Sequence, residues 1–402
     1  MRFENHLIAD LVDEIAMGPF GSNIKVECFV DSGVPVLNGS NLEGFELQEN
    51  SFRYVTEEKA NSLGRANARR GDVVITHRGT LGQIVYIPET SRYERYVISQ
   101  SQFRIRCNDK VLPEYLVYYF HTNIGQHKLL SNASQVGVPA LARPSSTFQK
   151  IDIDIPSIED QKRIVSIIGS LQEKIKTNRA INDNLEQQAA AYYSHLFIEN
   201  SSTEWREGTI SDLGTVVGGS TPSKAKPEYY TDHGIAWITP KDLSLNKSKF
   251  ISHGENDITE LGLKNSSAVI MPEGTVLFSS RAPIGYIAIA AGKVCTNQGF
   301  KSVIPAPKIG TAFVYYFLKY NLPTIEGMAS GSTFKEVSGS TMKSVPATIP
   351  DDATLEQFDD FCRPIFNQQR ALEAQNQSLS SLRDSLLPKL MSGEIDVSDI
   401  EI

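Results

Sequence analysis

The chain has 402 residues, 40% of them hydrophobic and 21% charged, with a net charge of −8. That length and mixture suit two ordinary domains with connecting helices, and exclude a disordered polymer or a bilayer-spanning chain, since no apolar run approaches the width of a membrane. Four cysteines (28, 107, 295 and 362) form no CxxC or Cys/His cluster, so no zinc site or disulfide framework is expected, and the acid-bearing start MRFENHLIADLVDEI is unlike a secretory signal, which leaves the cytoplasm as the expected location.

In chain order, the first feature is a glycine and hydroxyl-rich turn, Gly18-Pro19-Phe20-Gly21-Ser22-Asn23, followed by Lys25. Backbone N–H groups of such a turn can lie against phosphates, although a glycine-rich turn on its own is a weak signal. Asn38, Ser40 and Asn41 add amides and a hydroxyl after Val36-Leu37. Glu57-Glu58-Lys59 has the spacing of a minimal nuclease motif, but three charged residues read better as a solvated helix start.

Strands are expected at 73–76, 82–87 and 96–106. The first ends in Thr76-His77-Arg78-Gly79-Thr80, where an Arg with hydroxyls and small residues sits in a loop at a strand end. Such an Arg can take both acceptors of a guanine edge, or can pair with a carboxylate to pin a tight turn. Ser99-Gln100-Ser101-Gln102-Phe103, with Arg104 after it, supplies amides suited to adenine edges or to closing backbone hydrogen bonds.

From 159 to 197 the sequence turns helical. Ile164, Leu171, Asn178, Leu185 and Tyr192 recur every seven residues, interleaved with Ile168, Ile175, Asn182, Ala189 and Leu196. A single helix of this kind would be read as an amphipathic element packed on its own domain. A strict heptad favours a coiled-coil seam.

The same order then repeats. Gly218-Gly219-Ser220-Thr221-Pro222-Ser223 with Lys224 stands for the first turn, and Thr239 and Lys241 follow in Trp237-Ile238-Thr239-Pro240-Lys241-Asp242. Strands are expected at 275–279, 285–290 and 299–303. Gly274 to Gly285 matches Gly71 to Gly82 at an offset of 203, with Ser279, Ser280 and Arg281 at the strand end. Thr296-Asn297-Gln298-Gly299-Phe300-Lys301 matches the first amide cluster, and Phe313 to Phe317 matches Leu116 to Phe120 at 197. At an offset of 194, Ile349-Pro350 matches Ile155-Pro156, and the helical seam returns as Phe358, Ile365, Leu372, Leu379 and Leu386 beside Cys362, Gln369, Asn376, Arg383 and Leu390.

A period near half the chain is a domain duplication rather than a solenoid. The expected order is domain, helix, domain, helix, with each helix burying its seam against the other and with polar Asn182 and Asn376 fixing register. Residues 351–402 carry eleven Asp/Glu against four Lys/Arg, so most of the net negative charge lies in the last helix and tail. No Walker loop, GxGxxG fingerprint, HExxH, GxSxG or amino-methyltransferase motif occurs, which disfavours a self-contained nuclease, ATPase or methyltransferase.

Taken in order, these motifs resemble the specificity subunit of type I restriction-modification systems over essentially the whole chain. The strongest are Gly219 to Ser223, Trp237 to Leu243, Phe278 to Gly285, Thr296 to Lys301, and the ending Leu386-Leu387-Pro388-Lys389-Leu390-Met391-Ser392-Gly393-Glu394-Ile395. In the first half, Gly18 to Ser22, Gly33 to Leu37 and Ile155-Pro156 with Glu159, Gln161 and Lys162 follow the same pattern; the Trp-Ile-Thr-Pro-Lys-Asp stretch is replaced by Pro35-Val36-Leu37-Asn38-Gly39-Ser40-Asn41.

The resemblance implies an α+β fold. Two mixed α/β target recognition domains (1–157 and 200–352) would be separated by two long antiparallel coiled-coil helices (158–199 and 353–402) in a pseudo-two-fold repeat. It further implies that each domain reads half of a split, asymmetric DNA site, while the helices set the gap and dock two modification subunits, joined by restriction subunits. The chain itself would bind no cofactor and no metal; S-adenosylmethionine, ATP and Mg would be used by its partners. A two-lobed protein-interaction scaffold without DNA sequence specificity is the alternative left by the residues alone.

Overall fold

The computed structural model describes residues 1–19, 21–134, 137–331 and 335–401. The chain forms two compact units, one of residues 1–174 with 379–402 and one of 175–378. The duplication is visible in the strand order of each.

In the first unit a four-stranded antiparallel sheet runs Val12–Met17, Gln102–Cys107, Asp72–Thr76, Ile84–Tyr86. Side chains of a strand alternate between faces, and both faces of Asp72–Thr76 are covered. Val73 and Ile75 pack toward Tyr115, Tyr118 and Phe120 of the helix Pro113–His121, whereas Val74 packs with Leu37, Tyr96 and Ile98. The Asp-Val-Val-Ile-Thr run is therefore almost continuously apolar because it lies between two layers. A second, five-stranded sheet orders Phe29–Val30, Arg53–Val55, Val34–Val36, Arg95–Val97, Asn67–Arg69.

The second unit repeats this arrangement. Gly214–Gly218, Lys301–Pro305, Val276–Ser280 and Ile284–Ala290 form the first sheet, with Phe250–Ile251 added at its edge. Tyr230–Thr231, Asn256–Ile258, Ile235–Ile238 and Cys295–Thr296 form the other. Val276 and Phe278 again face the helix layer, and Leu277 faces the other way. In each unit an antiparallel strand pair closes the globule, Phe3–Leu7 with Asp152–Pro156 and Arg206–Thr209 with Pro346–Ile349.

The expected strand at 96–106 is two strands in two different sheets. The chain turns at Ser99, whose N–H is accepted by Gln102 Oε1 at 2.9 Å, so the Ser-Gln-Ser-Gln run ends one strand and begins the next. The acidic run at Glu57 starts the helix Glu57–Ser62, capped by the Thr56 hydroxyl.

The two long helices are Ile158–Ser194, of 37 residues and ending in a π-helical turn, and Asp352–Ser392, of 41 residues. Ser157 and Asp351 cap their first turns by accepting the N–H groups of Asp160 and Thr354. Within the first unit Arg163 bonds the Ile400 carbonyl and Arg383 bonds Gln172; within the second, Asn178 bonds Asn376, and Gln357 bonds Tyr192. Rising numbers on one helix meet falling numbers on the other, so the helices are antiparallel.

The seam follows the heptad closely. Ile164, Ile168, Ile175, Asn178 and Ala189 are buried, with Leu171, Asn182 and Leu185 half-buried; opposite them Phe358, Cys362, Ile365, Gln369 and Leu372 are buried, with Asn376, Leu379, Arg383 and Leu386 half-buried. Toward the end of the first helix burial moves one residue on, from Tyr192 and Leu196 to Tyr193 and Phe197. An α-helix repeats every 3.6 residues rather than 3.5, and the seam slips accordingly.

Candidate nucleic-acid interface

At one end of the first unit, five segments that are distant in sequence are tied together, chiefly through their backbones. Gly18 donates its N–H to the Gln102 carbonyl, and His77 donates to the Ser101 carbonyl, both within 2.9 Å. Gln83 Nε2 reaches the Gly39 carbonyl, and Gly79 N–H the Pro139 carbonyl, each at 2.9 Å. The glycines are required by closeness: a Cβ on Gly18 would stand 1.9 Å from the Ser99 carbonyl oxygen. Gly79 and Gly82 hold positive φ angles of 95° and 88°, which turns the chain away from the strand at Arg78.

The second unit builds the same cluster. A Cβ on Gly219 would stand 1.9 Å from the Asn297 carbonyl, Ser220 N–H bonds the Thr296 carbonyl, and Ser280 N–H bonds the Gly299 carbonyl. Strand register fixes the equivalences. Val36 faces Arg53 in the first unit, as Trp237 faces Asn256 in the second. Beyond them Asn38 and Asn41 form a reciprocal cap, as Thr239 and Asp242 do. The stretch that differs most in letters between the copies thus has one geometry, because Asn, Thr and Asp can all accept a backbone N–H.

The sequence-selected residues separate by what their polar atoms do. In the first unit Asn23, Lys25, Ser40, Arg78, Thr80 and Gln100 are exposed, and Asn38 and His77 are half-buried. Phe20 lies outside the described residues; Ser22 is described by its backbone alone, in the turn Gly21–Asn23. Asn41 is buried and spends its amide on the Gln48 and Asn50 carbonyls. Gln102 is buried in its turn. Arg104, 5% exposed, bonds the Arg65 carbonyl and pairs with Glu14 and Asp72, so its guanidinium faces inward. Burial pushes the His77 imidazole below its usual value, against the opposing pull of its hydrogen bond to the Gln100 carbonyl.

In the second unit Ser223, Lys224, Lys241 and Gln298 are exposed and Thr221, Thr239, Arg281, Asn297 and Lys301 half-buried, while Ser279 and Ser280 are buried and bond the Pro283 and Gly299 carbonyls. Thr221 hydrogen-bonds Gln298, and Lys241 pairs with Glu255. The two strand-end arginines differ. Arg281 pairs with Glu336 at 3.4 Å, and Lys301 lies 3.6 Å from the same carboxylate. Arg78, among the described residues, has no carboxylate partner.

Two residues of these clusters carried no sequence signal. Glu336 is far along the chain from Arg281, and the bond from the Val337 N–H to the Ser280 carbonyl, at 3.0 Å, brings it back. Arg53 is a lone cation in a short strand; only the register with Val36 places it beside Asn38 and Gln100, around a cavity of about 450 Å³. Among the described residues no three His, Cys, Asp or Glu side chains are grouped to hold a metal, and no helix is long and apolar enough to cross a membrane.

A family model described as the type I restriction modification DNA specificity domain matches the chain twice, at residues 24–187 and 202–377. The type I restriction enzyme MjaIX specificity subunit of Methanocaldococcus jannaschii is 41% identical over 179 residues, covering 42% of this chain and 41% of that one. The HindI specificity subunit of Haemophilus influenzae is 23% identical, covering 81% of this chain and 87% of its own. In fold, the crystal structure of the type I restriction-modification S subunit from M. genitalium matches with a TM-score of 0.60 at 16% identity, over 97% of this chain and 96% of that one. With two matched stretches that each run from a loop-bearing globule into a long helix, the chain belongs to the type I restriction modification DNA specificity family.

Proposed function

We propose that the chain is the DNA-reading, non-catalytic subunit of a type I restriction-modification complex. Each unit reads one half of a split, asymmetric site, and the paired helices set the gap. Two methyltransferase subunits and the restriction subunits dock on the chain, and S-adenosylmethionine, ATP and Mg are used by those partners.

One observation carries this reading: the two loop clusters share a scaffold and differ in the side chains it presents. Val36, Asn38, Arg53 and Ser99 of the first unit stand where Trp237, Thr239, Asn256 and Asn297 stand in the second. A shared scaffold with different polar edges suits two different base sequences, since bases are read by donor and acceptor patterns in the groove.

A genome-wide methylation map with and without the gene tests it. The expected result is a two-part motif that disappears with the gene. Failure of the complex with its modification subunit to select any sequence from a random DNA pool would instead favour a protein-binding scaffold. Adding one heptad to both long helices is expected to lengthen the gap and leave the bases unchanged.

A further inference from the structure

We propose that Arg53 reads a guanine of the half-site contacted by the first unit. The assignment rests on the DNA-reading function above and adds a residue and a base to it. Val36 and Arg53 are directly opposed on neighbouring strands, and the small valine leaves open the floor of the cavity that both line. Ile24, Phe29 and Leu37 make the rest of that floor apolar, and Asn38 and Gln100 stand on its rim.

Two groups of the rim, Arg53 and the Asn38 amide, present donors. Arg53 is exposed, its guanidinium carbon lies 5.2 Å from the Phe29 ring centroid, and among the described residues it has no carboxylate partner. Stacking on an aromatic face holds the planar fork in place while leaving its N–H groups free. Asn38 commits its Oδ1 to the N–H and hydroxyl of Ser40, at 2.8 and 2.6 Å, which leaves its Nδ2 donors available. A group that meets Arg53 and the Asn38 amide together must therefore bring acceptors. In the major groove, guanine offers two adjacent acceptors, O6 and N7, and Arg meets both at once.

The second unit shows what closes such a site. Trp237 replaces Val36, is buried, and donates its indole N–H to the Ser220 carbonyl at 3.0 Å; Asn256 replaces Arg53. The fork and the space beneath it are lost together. The guanine contact therefore belongs to the first half-site alone.

The test compares the wild-type complex with Arg53→Ala and Arg53→Lys, reading the methylated motif in cells and binding of the assembled complex to duplexes in vitro. Arg53→Ala is expected to make one guanine position of a single half-site degenerate, with the other half-site and the gap unchanged. Replacing that guanine by 7-deazaguanine should weaken wild-type binding by roughly 10-fold or more, and leave the Ala variant's affinity unchanged. An unchanged motif overturns the assignment. So does a uniform loss across all sequences with a salt slope shallower by about one, restored by Lys, because that marks a phosphate contact. A wild-type complex that methylates no two-part motif overturns the DNA-reading function itself, and is recognised without any variant.

Discussion

Asn178 on the first long helix donates its amide to Asn376 Oδ1 on the second, at 2.9 Å, and also to Gln375 at 2.7 Å. Asn178 is fully buried, and its own Oδ1 has no partner among the described residues, nor does that of Asn182. A polar pair inside an apolar seam fixes register at a cost in stability. Replacing Asn178 and Asn376 together by Leu is expected to raise the unfolding midpoint of the chain in calorimetry. Asn376→Leu alone leaves the buried Asn178 amide with one partner fewer and should destabilise by about 1–2 kcal/mol.

Lys249 is the second buried polar anchor of the helix pair. It is 7% exposed, lies 4.2 Å from the Phe366 ring centroid, donates to Gln369 at 2.7 Å, and pairs with Glu186. Glu373 accepts the backbone N–H groups of Lys249 and Phe250. Removing one partner of a buried pair strands the other. Glu186→Ala should therefore cost about 3–5 kcal/mol in denaturant unfolding, while Glu186→Leu combined with Lys249→Met should recover most of that loss.

The same carboxylate gives a pH dependence. Burial alone would raise the Glu186 carboxyl, but the charges and hydrogen bonds of Lys249 and Lys319 outweigh it and hold it at about 2, below its ordinary 4.5. A depressed acid stabilises the fold above its unfolded value, and that contribution is lost as pH falls from about 4.5 toward 2. On Lys249 burial prevails over the attraction of Glu186 and lowers its value from the ordinary 10.5. Urea unfolding at pH 6 and pH 3 should show a smaller acid loss in Glu186→Gln than in the wild type.

Glu336 holds both Arg281 and Lys301. Glu336→Gln frees two cations at the loop end of the second unit and removes one negative charge. Non-specific DNA affinity of the assembled complex should rise and fall more steeply with salt, as anisotropy titrations from 50 to 200 mM would show.

Gly219→Ala should disturb the amide loop and little else. The added methyl would stand 1.9 Å from the Asn297 carbonyl and 2.5 Å from the Thr296 carbonyl, so the backbone must move. Hydrogen exchange is expected to quicken around 296–300 while the long helices keep their protection.

The fold was legible where periodicity carried it. The heptad placed the long helices and most of the seam; the slips from Tyr192 to Tyr193 and from Leu196 to Phe197, and the buried Phe366 and Leu387, lay outside a strict seven-residue count. The duplicated strand–loop motif located the first sheet of each unit. The site was less legible, because an amide or an arginine looks the same whether it faces out or in. Arg104 and Gln102 sit in a polar run beside Gln100, yet strand alternation and the turn at Ser99 turn them inward. Arg53 and Glu336 were invisible for the opposite reason: each owes its position to a partner far away in the chain, Val36 through strand register and Arg281 through a bridge.

The short strand pair that closes each globule has a wider consequence. Phe3 lies opposite Pro156, and Arg206 opposite Ile349, so the chain enters and leaves each globule at neighbouring points. A body whose two ends meet behaves as a cassette. It can be lifted out and exchanged for another of different preference without asking the helices that carry it to change length or register.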